Sequence, residues 1–130
     1  MPQSSTLQKR VAKKALIVED EGEMGLLLNI LIDERELELD YVKDLLSAEE
    51  YLEKQQPSVV ILDNKLPDGF GVDFISFIKN KYPSMKIIMI SGFSSVRDVA
   101  LANGADVFLE KPFSREQLYK AIYGLLPELN

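Results

Sequence analysis

Apolar residues in this chain gather in short runs that close on polar ones. Ala15–Val18 is such a run, ending on Glu19 and Asp20, and it reads as a buried strand. Met24, Leu27, Leu28, Leu31 and Ile32 then recur at helical spacing and predict an amphipathic first helix. Leu37, Leu39 and Tyr41 alternate with Glu38 and Asp40, the pattern of a strand with one polar side, which an edge position tolerates. Ser47-Ala-Glu-Glu50 has the form of a capping box and predicts a second helix running to about Gln55, stopped by Pro57. Val59–Leu62 is continuous and rich in β-branched residues, a buried strand that Asp63 ends.

Lys65–Gly71 holds Pro67, Gly69 and Gly71 and reads as a loop. Val72–Tyr82 follows as a helix with Phe74, Phe77 and Ile78 on one face. Ile87–Ile90 is a further buried strand, closed by Ser91 and Gly92. A short helix is expected over Val96–Ala102, with Gly104 as its C-terminal cap. Val107–Leu109 is the fifth strand, followed by Glu110, Lys111 and Pro112, and Ser114-Arg-Glu-Gln117 is a capping box for a last helix reaching about Leu125. Strand and helix alternate five times. That order predicts an α/β fold: one doubly wound five-stranded parallel sheet with helices on both faces.

The 130 residues suit one domain, and the 46% hydrophobic and 28% charged content is that of a globular chain. There is no cysteine and no histidine, so disulfides, thiolate sites, imidazole catalysis and His-ligated zinc are all excluded within these residues. The net charge is −6. Lys9, Arg10, Lys13 and Lys14 are the only charges before Ala15, and taking those four from 15 leaves 11 basic residues against 21 acidic ones. So acidic a body is not expected to bind nucleic acid directly. Residues 1–12 read as a flexible basic tail and 13–127 as the folded domain. No apolar leader segment and no run long enough to span a bilayer is visible, so a cytoplasmic protein with no membrane partner is expected.

The strand ends carry the candidate chemistry. In a parallel sheet all carboxyl ends lie on one edge, where ligands of such folds bind. Glu19 and Asp20, Asp63, Ser91 and Lys111 are therefore expected to converge from four strands. Three carboxylates in one cleft repel: a pair about 4 Å apart costs roughly 4 kcal/mol at an effective dielectric of about 20. Either one is protonated or a cation is bound. An all-oxygen donor set with few protein ligands favours Mg²⁺ over Ca²⁺, with Asp20 and Asp63 as direct ligands and Glu19 acting through water. Lys111 suits a phosphate oxygen, Ser91 offers a hydroxyl, and Asp63 is left as the nucleophile toward a phosphoryl group. One such residue alone is ordinarily a solvated or turn residue; four at successive strand ends are not.

The stretches LIVEDE (Leu16–Glu21), VVILDNKLPDGFG (Val59–Gly71), IIMISGFS (Ile87–Ser94) and GADVFLEKPF (Gly104–Phe113) closely resemble the receiver domain of two-component response regulators, over residues 13–126. The resemblance implies a flavodoxin-like sheet of order 2-1-3-4-5. It makes Asp63 the phosphoacceptor, Glu19 and Asp20 the acidic pair, and the backbone carbonyl of Lys65 a further metal ligand. Mg²⁺ is the expected cofactor, with Mn²⁺ as an alternative. Ser91 becomes the switch hydroxyl, Phe108 the switch aromatic and Lys111 the phosphate-binding lysine, with a cis Lys111–Pro112 bond. The donor would be a phosphohistidine on a partner histidine kinase or phosphotransfer protein, supplied in trans since the chain has no histidine.

After transfer, Ser91 would move to the phosphoryl oxygen and Phe108 would follow into the vacated space, with Gly92 small enough to allow it, so that the altered face signals to a downstream protein. Lys65 and Phe93 flank the site and are expected to shield the acyl phosphate from water. The Ser91–Lys111 stretch is about two residues shorter than usual for the family, so a truncated fourth helix and a monomer or weak dimer are expected.

Two other functions compete. A phosphohydrolase of the haloacid-dehalogenase type would carry a second aspartate two residues past the nucleophile, where this chain has Lys65, so turnover as an enzyme is not expected. An unphosphorylated binding scaffold would not need Asp20, Asp63, Ser91 and Lys111 together. The chain ends after the last helix, so no output domain is expected within it, and a single-domain regulator, a relay intermediate and a piece of a larger protein all stay open.

Overall fold

Along each apolar strand successive side chains point to opposite faces, so a run apolar at every position demands cover on both sides. The computed structural model, which describes residues 13–32 and 36–129, provides it. The elements of the central layer and its cover are β1 (Lys13–Val18), α1 (Glu23–Leu31), β2 (Leu37–Val42), α2 (Leu45–Lys54) and β3 (Val59–Asp63), then, after a small hairpin, α3 (Gly71–Lys81), β6 (Lys86–Ser91), α4 (Arg97–Asn103), β7 (Val107–Glu110) and α5 (Arg115–Leu125). The hairpin is β4 (Lys65–Leu66) and β5 (Gly69–Phe70). The main sheet is parallel throughout, in the order β2-β1-β3-β6-β7. Counting only its own five strands, that is the expected 2-1-3-4-5.

Two separate cores sandwich this sheet. Ile17, Ile61, Ile88 and Ile90 pack with Met24 and Leu28 of α1 and Leu118 and Ile122 of α5. Leu16, Val18, Leu62 and Met89, one residue out of phase with those, pack with Leu52 of α2, Ile75 of α3 and Ala100 of α4. Leu28, Leu52 and Ile75 are almost wholly buried, each worth about 1.5–3 kcal/mol.

Four expectations are corrected. The second helix does not open with a Ser47–Glu50 capping box. Asp44 is its N-cap, accepting from the Ser47 backbone N–H at 2.8 Å, and the helix starts at Leu45. Aspartate caps as well as serine, and the earlier start lets Leu45 and Leu46 donate their amides to Asp68. Lys65–Gly71 is not plain loop: β4 and β5 pair in register Lys65↔Phe70 and Leu66↔Gly69. The third helix begins at Gly71, one residue earlier than expected. β1 begins at Lys13, two residues before the expected Ala15, with Lys13 and Lys14 opposite Leu37 and Glu38. The expected tail, residues 1–12, lies outside the described residues.

The other elements fall within a residue or two of the bounds expected. β2 is an edge strand. α4 spans only seven residues, entered through a 3₁₀ turn at Ser94–Val96 and capped by Gly104 at φ 117°. Ser114 and Gln117 form a complete capping box on α5. The Lys111–Pro112 bond is cis.

Candidate functional site

Strand register brings the site together. Val18 lies level with Leu62, Asp63 with Ile90, and Ser91 with Glu110. The residues just beyond these pairs therefore share one edge of the sheet. The Lys111 backbone N–H donates to the Ser91 carbonyl at 2.9 Å, which carries the lysine round to the same edge. There the Lys111 ammonium stands 3.4 Å from both Asp63 oxygens. That is longer than the usual 2.7–2.9 Å of a tight charge-assisted bond, so the pair is held but not locked. The Asp63 side chain is 14% exposed, enough to be reached from solvent.

Asp63 is fixed from behind by the segment that follows it. Its Oδ1 accepts from the Asn64 amide at 2.8 Å. Buried Asn64 then accepts from Gly71 through its carbonyl (2.7 Å) and from Val72 through Oδ1 (3.1 Å). Gly71 packs so closely that an added Cβ would lie 2.2 Å from the Asp63 carbonyl oxygen. Asp63 thus sits between the end of β3 and the start of α3 with its backbone closed in on the Gly71 side.

A hollow of about 440 Å³ opens onto this carboxylate. Asp63 and Lys111 form its polar floor, and Met24, Leu27 and Phe113 are apolar walls; Glu19, Glu21 and Glu23 also line it. Sequence reasoning missed the walls, because α1 positions at helical spacing look like ordinary core. Their signal was the proximity of α1 to the acidic end of β1.

Glu19 is buried, and its Oε1 accepts from the Gly25 amide at 2.7 Å. Gly22, the N-cap of α1, makes no side-chain cap, so Glu19 serves that helix end and one of its two oxygens is committed there. Asp20 is exposed and lines an adjoining hollow with Glu19, Glu21 and Tyr41. Among the described residues no three acidic side chains are drawn close enough to form a metal cluster. The donor chemistry nevertheless fits a hard cation: the neighbouring groups are carboxylate and carbonyl oxygens, and the chain has neither a thiol nor an imidazole to offer.

Ser91 is 2% exposed, and its Oγ accepts from the Phe93 amide at 3.1 Å. Phe108 is buried in the core on the α2–α3–α4 side, level with Met89. A Cβ on Gly92 would meet nothing within 4 Å, so packing here does not require that glycine. Above the site the Lys65 ammonium lies 5.3 Å from the centroid of the Phe93 ring, a cation–π contact that joins the segment after Asp63 to the segment after Ser91. Asp68, in the turn of the hairpin, accepts from Leu45 and Leu46, each at 2.9 Å, and these two amides hold its carboxyl below the usual carboxylate range.

A loosely paired, solvent-accessible carboxylate with an ammonium across both oxygens and a buried hydroxyl nearby is equipped to accept an electrophile and hold the anion formed. Nearly the whole chain resembles proteins already known. The family model described as response regulator receiver domain matches residues 15–123. Transcriptional regulatory protein BasR of Escherichia coli is 36% identical over 122 residues, covering 90% of this chain and 54% of the relative. Response regulator protein PilR of Pseudomonas aeruginosa is 31% identical over 112 residues, 85% of this chain and 25% of the relative. The chain therefore spans at most about half the length of these curated relatives. Among solved structures, the beryllofluoride-activated NtrC4 receiver domain dimer matches with TM-score 0.81 and 34% identity over 90% of this chain and 98% of that one. NtrX from Brucella abortus matches at 0.80 and 27%, over 91% of this chain and 28% of that one.

Proposed function

The chain belongs to the receiver domains of two-component response regulators, and from that premise we propose that Asp63 is its phosphoacceptor. The observation that carries the assignment is the Lys111 ammonium set 3.4 Å from both oxygens of an otherwise reachable carboxylate.

In this reading an Asp63 oxygen attacks the phosphorus of a phosphohistidine. A new P–O bond forms, the P–N bond breaks, and its electron pair stays on the donor imidazole. The donor lies outside these 130 residues, which contain no histidine, and belongs to a histidine kinase or phosphotransfer protein. It enters over the hollow walled by Met24, Leu27 and Phe113. Lys111, only loosely paired with the carboxylate, moves onto a phosphoryl oxygen and offsets its charge. Asp20, Asp63 and the Lys65 carbonyl would hold Mg²⁺ or Mn²⁺, with Glu19 acting through water. Such a cation supplies charge neutralisation to the phosphoryl oxygens.

Ser91 and Phe108 are the switch pair. Ser91 Oγ exchanges its Phe93 amide for a phosphoryl oxygen, and Phe108 follows toward the space it leaves. The repacked surface lies on the α4 side, where a downstream protein reads it. The folded unit is residues 13–127. It is a switch rather than a turnover enzyme, since Lys65 stands where a phosphohydrolase of this chemistry would place its acid. The short α4 offers little surface for pairing, which supports a monomer or weak dimer. A net charge of −6 argues against direct nucleic-acid binding. Among the described residues no helix is long and apolar enough to cross a membrane, and a cytoplasmic location follows from the class of donor.

The test is intact-mass spectrometry after incubation with acetyl phosphate and Mg²⁺. One phosphoryl group is expected, absent in Asp63→Ala. A native protein that binds the metal but takes no phosphoryl group would make the chain a scaffold instead.

A further inference from the structure

A hairpin whose strands are two residues each cannot hold itself together in water. β4–β5 begins two residues past Asp63 and carries Lys65, so whatever fixes the hairpin also fixes what stands beside the acceptor. Its far end, the Pro67–Asp68 turn, is anchored by one side chain. The two Asp68 oxygens take the Leu45 and Leu46 amides, residues 23 and 22 positions back along the chain, each at 2.9 Å. These are amides that the first turn of α2 leaves unpaired. A third, from Ser47, goes to Asp44 at 2.8 Å. The same helix end is thus capped twice, by two aspartates of different reach. Asp44 is the cap residue of the helix itself, and its carboxylate takes the Ser47 amide. Asp68 ties the helix to the hairpin. The Leu45 side chain also lies close over the hairpin, since a Cβ added to Gly69 would stand 3.1 Å from its Cδ1.

We propose that Asp68 is a positioning residue of the phosphorylation site: by clamping the hairpin to α2 it holds Lys65 against Phe93 and so prolongs the life of the phosphoryl group on Asp63. The proposal rests on Asp63 being the phosphoacceptor. It assigns Asp68 a role that its distance from the chemistry conceals. The carboxylate does not touch the acceptor; it acts through the two-residue ladder Lys65↔Phe70 and Leu66↔Gly69 and the cation–π contact above the site. Without the clamp, the Lys65 side chain loses its fixed base and water reaches the acyl phosphate more often.

The double cap provides the control. Wild type, Asp68→Ala, Asp68→Asn, Asp44→Ala, Lys65→Ala and the Lys65→Ala/Asp68→Ala double variant are phosphorylated with acetyl phosphate and Mg²⁺. The reagent is then removed and decay of the adduct is followed by intact mass. Asp68→Ala should shorten the half-life about two- to tenfold, the range that loss of one or two modest hydrogen bonds gives. Asp68→Asn, which keeps one acceptor oxygen, should fall between it and wild type. Asp44→Ala should lose helix-cap stability in urea unfolding while its half-life stays that of wild type. The double variant should decay no faster than the faster of its parents. Equal decay of wild type and both Asp68 variants overturns the proposal, as does an equal shortening by Asp44→Ala, which would make the effect one of helix stability. A wild type that takes no phosphoryl group overturns the acceptor assignment as well, which separates the two failures.

Discussion

The ammonium of Lys111 straddles the Asp63 carboxylate, 3.4 Å from each oxygen. The side chains are 41% and 14% exposed, so the pair lies where an ion pair is worth at most about 1 kcal/mol. On the proposed function its importance is to chemistry rather than to folding. Lys111→Ala should unfold in urea within about 1 kcal/mol of wild type. Its phosphorylation by acetyl phosphate should slow by at least about tenfold, as expected when one charge-stabilising group is lost. A full-rate variant would remove Lys111 from the reaction.

Gly71→Ala should behave in the opposite sense. The new Cβ would meet the Asp63 carbonyl at 2.2 Å and the Leu62 side chain at 3.0 Å. Neither neighbour can swing aside, because one is backbone and the other is core. A loss of about 1–3 kcal/mol in urea unfolding is expected. Acetyl-phosphate labelling should fall with it, since the acceptor must shift. Wild-type stability would show that the β3–α3 junction has slack.

Ser91→Ala removes the acceptor of the Phe93 amide at a site 2% exposed to solvent. The expected cost is about 1 kcal/mol. The variant should still take a phosphoryl group, since Asp63 and Lys111 are untouched. What should vanish is the response of Phe108: NMR resonances of its ring should shift in the wild type on phosphorylation and stay put in Ser91→Ala. Identical shifts in both proteins would uncouple the hydroxyl from the aromatic.

Acid should loosen one particular tie. Hydrogen bonds from Leu45 and then Leu46 favour the ionised form of Asp68 and lower its pKa in the folded chain. A group with a depressed folded pKa stabilises the fold above its unfolded value, and the stabilisation fades as pH falls through the folded one. The window therefore lies below about pH 4. Urea midpoints taken from about pH 6 down to about pH 3 should fall less steeply in Asp68→Asn than in wild type. Parallel curves would show that the two amides do not discriminate between the charged and neutral forms.

The sheet and the meeting of Asp63 and Lys111 at its edge were legible in the sequence because both come from local, repeated signals. Val59–Leu62 and Ile87–Ile90 are apolar throughout, and a polar residue punctuates each at the edge where ligands bind. What escaped was decided between segments. Ser47 and Asp44 are each good caps, and nothing local chooses between them. The choice is reinforced by Asp68, more than twenty positions away, which claims the amides of the first turn. The hairpin was hidden in the same way. Leu66-Pro-Asp-Gly69 is a turn signature, but strands two residues long carry no periodicity. Glu19 was read for its charge alone. The free amide of Gly25, left by a glycine N-cap, gives it a second duty that only the three-dimensional placement shows.

The division of the interior into two unconnected cores has a consequence for traffic on the molecule's surface. Met24 and Phe113, beside the entrance to Asp63, pack on the α1–α5 side, and Phe108 lies across the sheet among residues of α3 and α4. On the proposed function, a donor over the hollow at Asp63 and a protein that reads Phe108 would meet opposite faces of the sheet, so neither would need to displace the other.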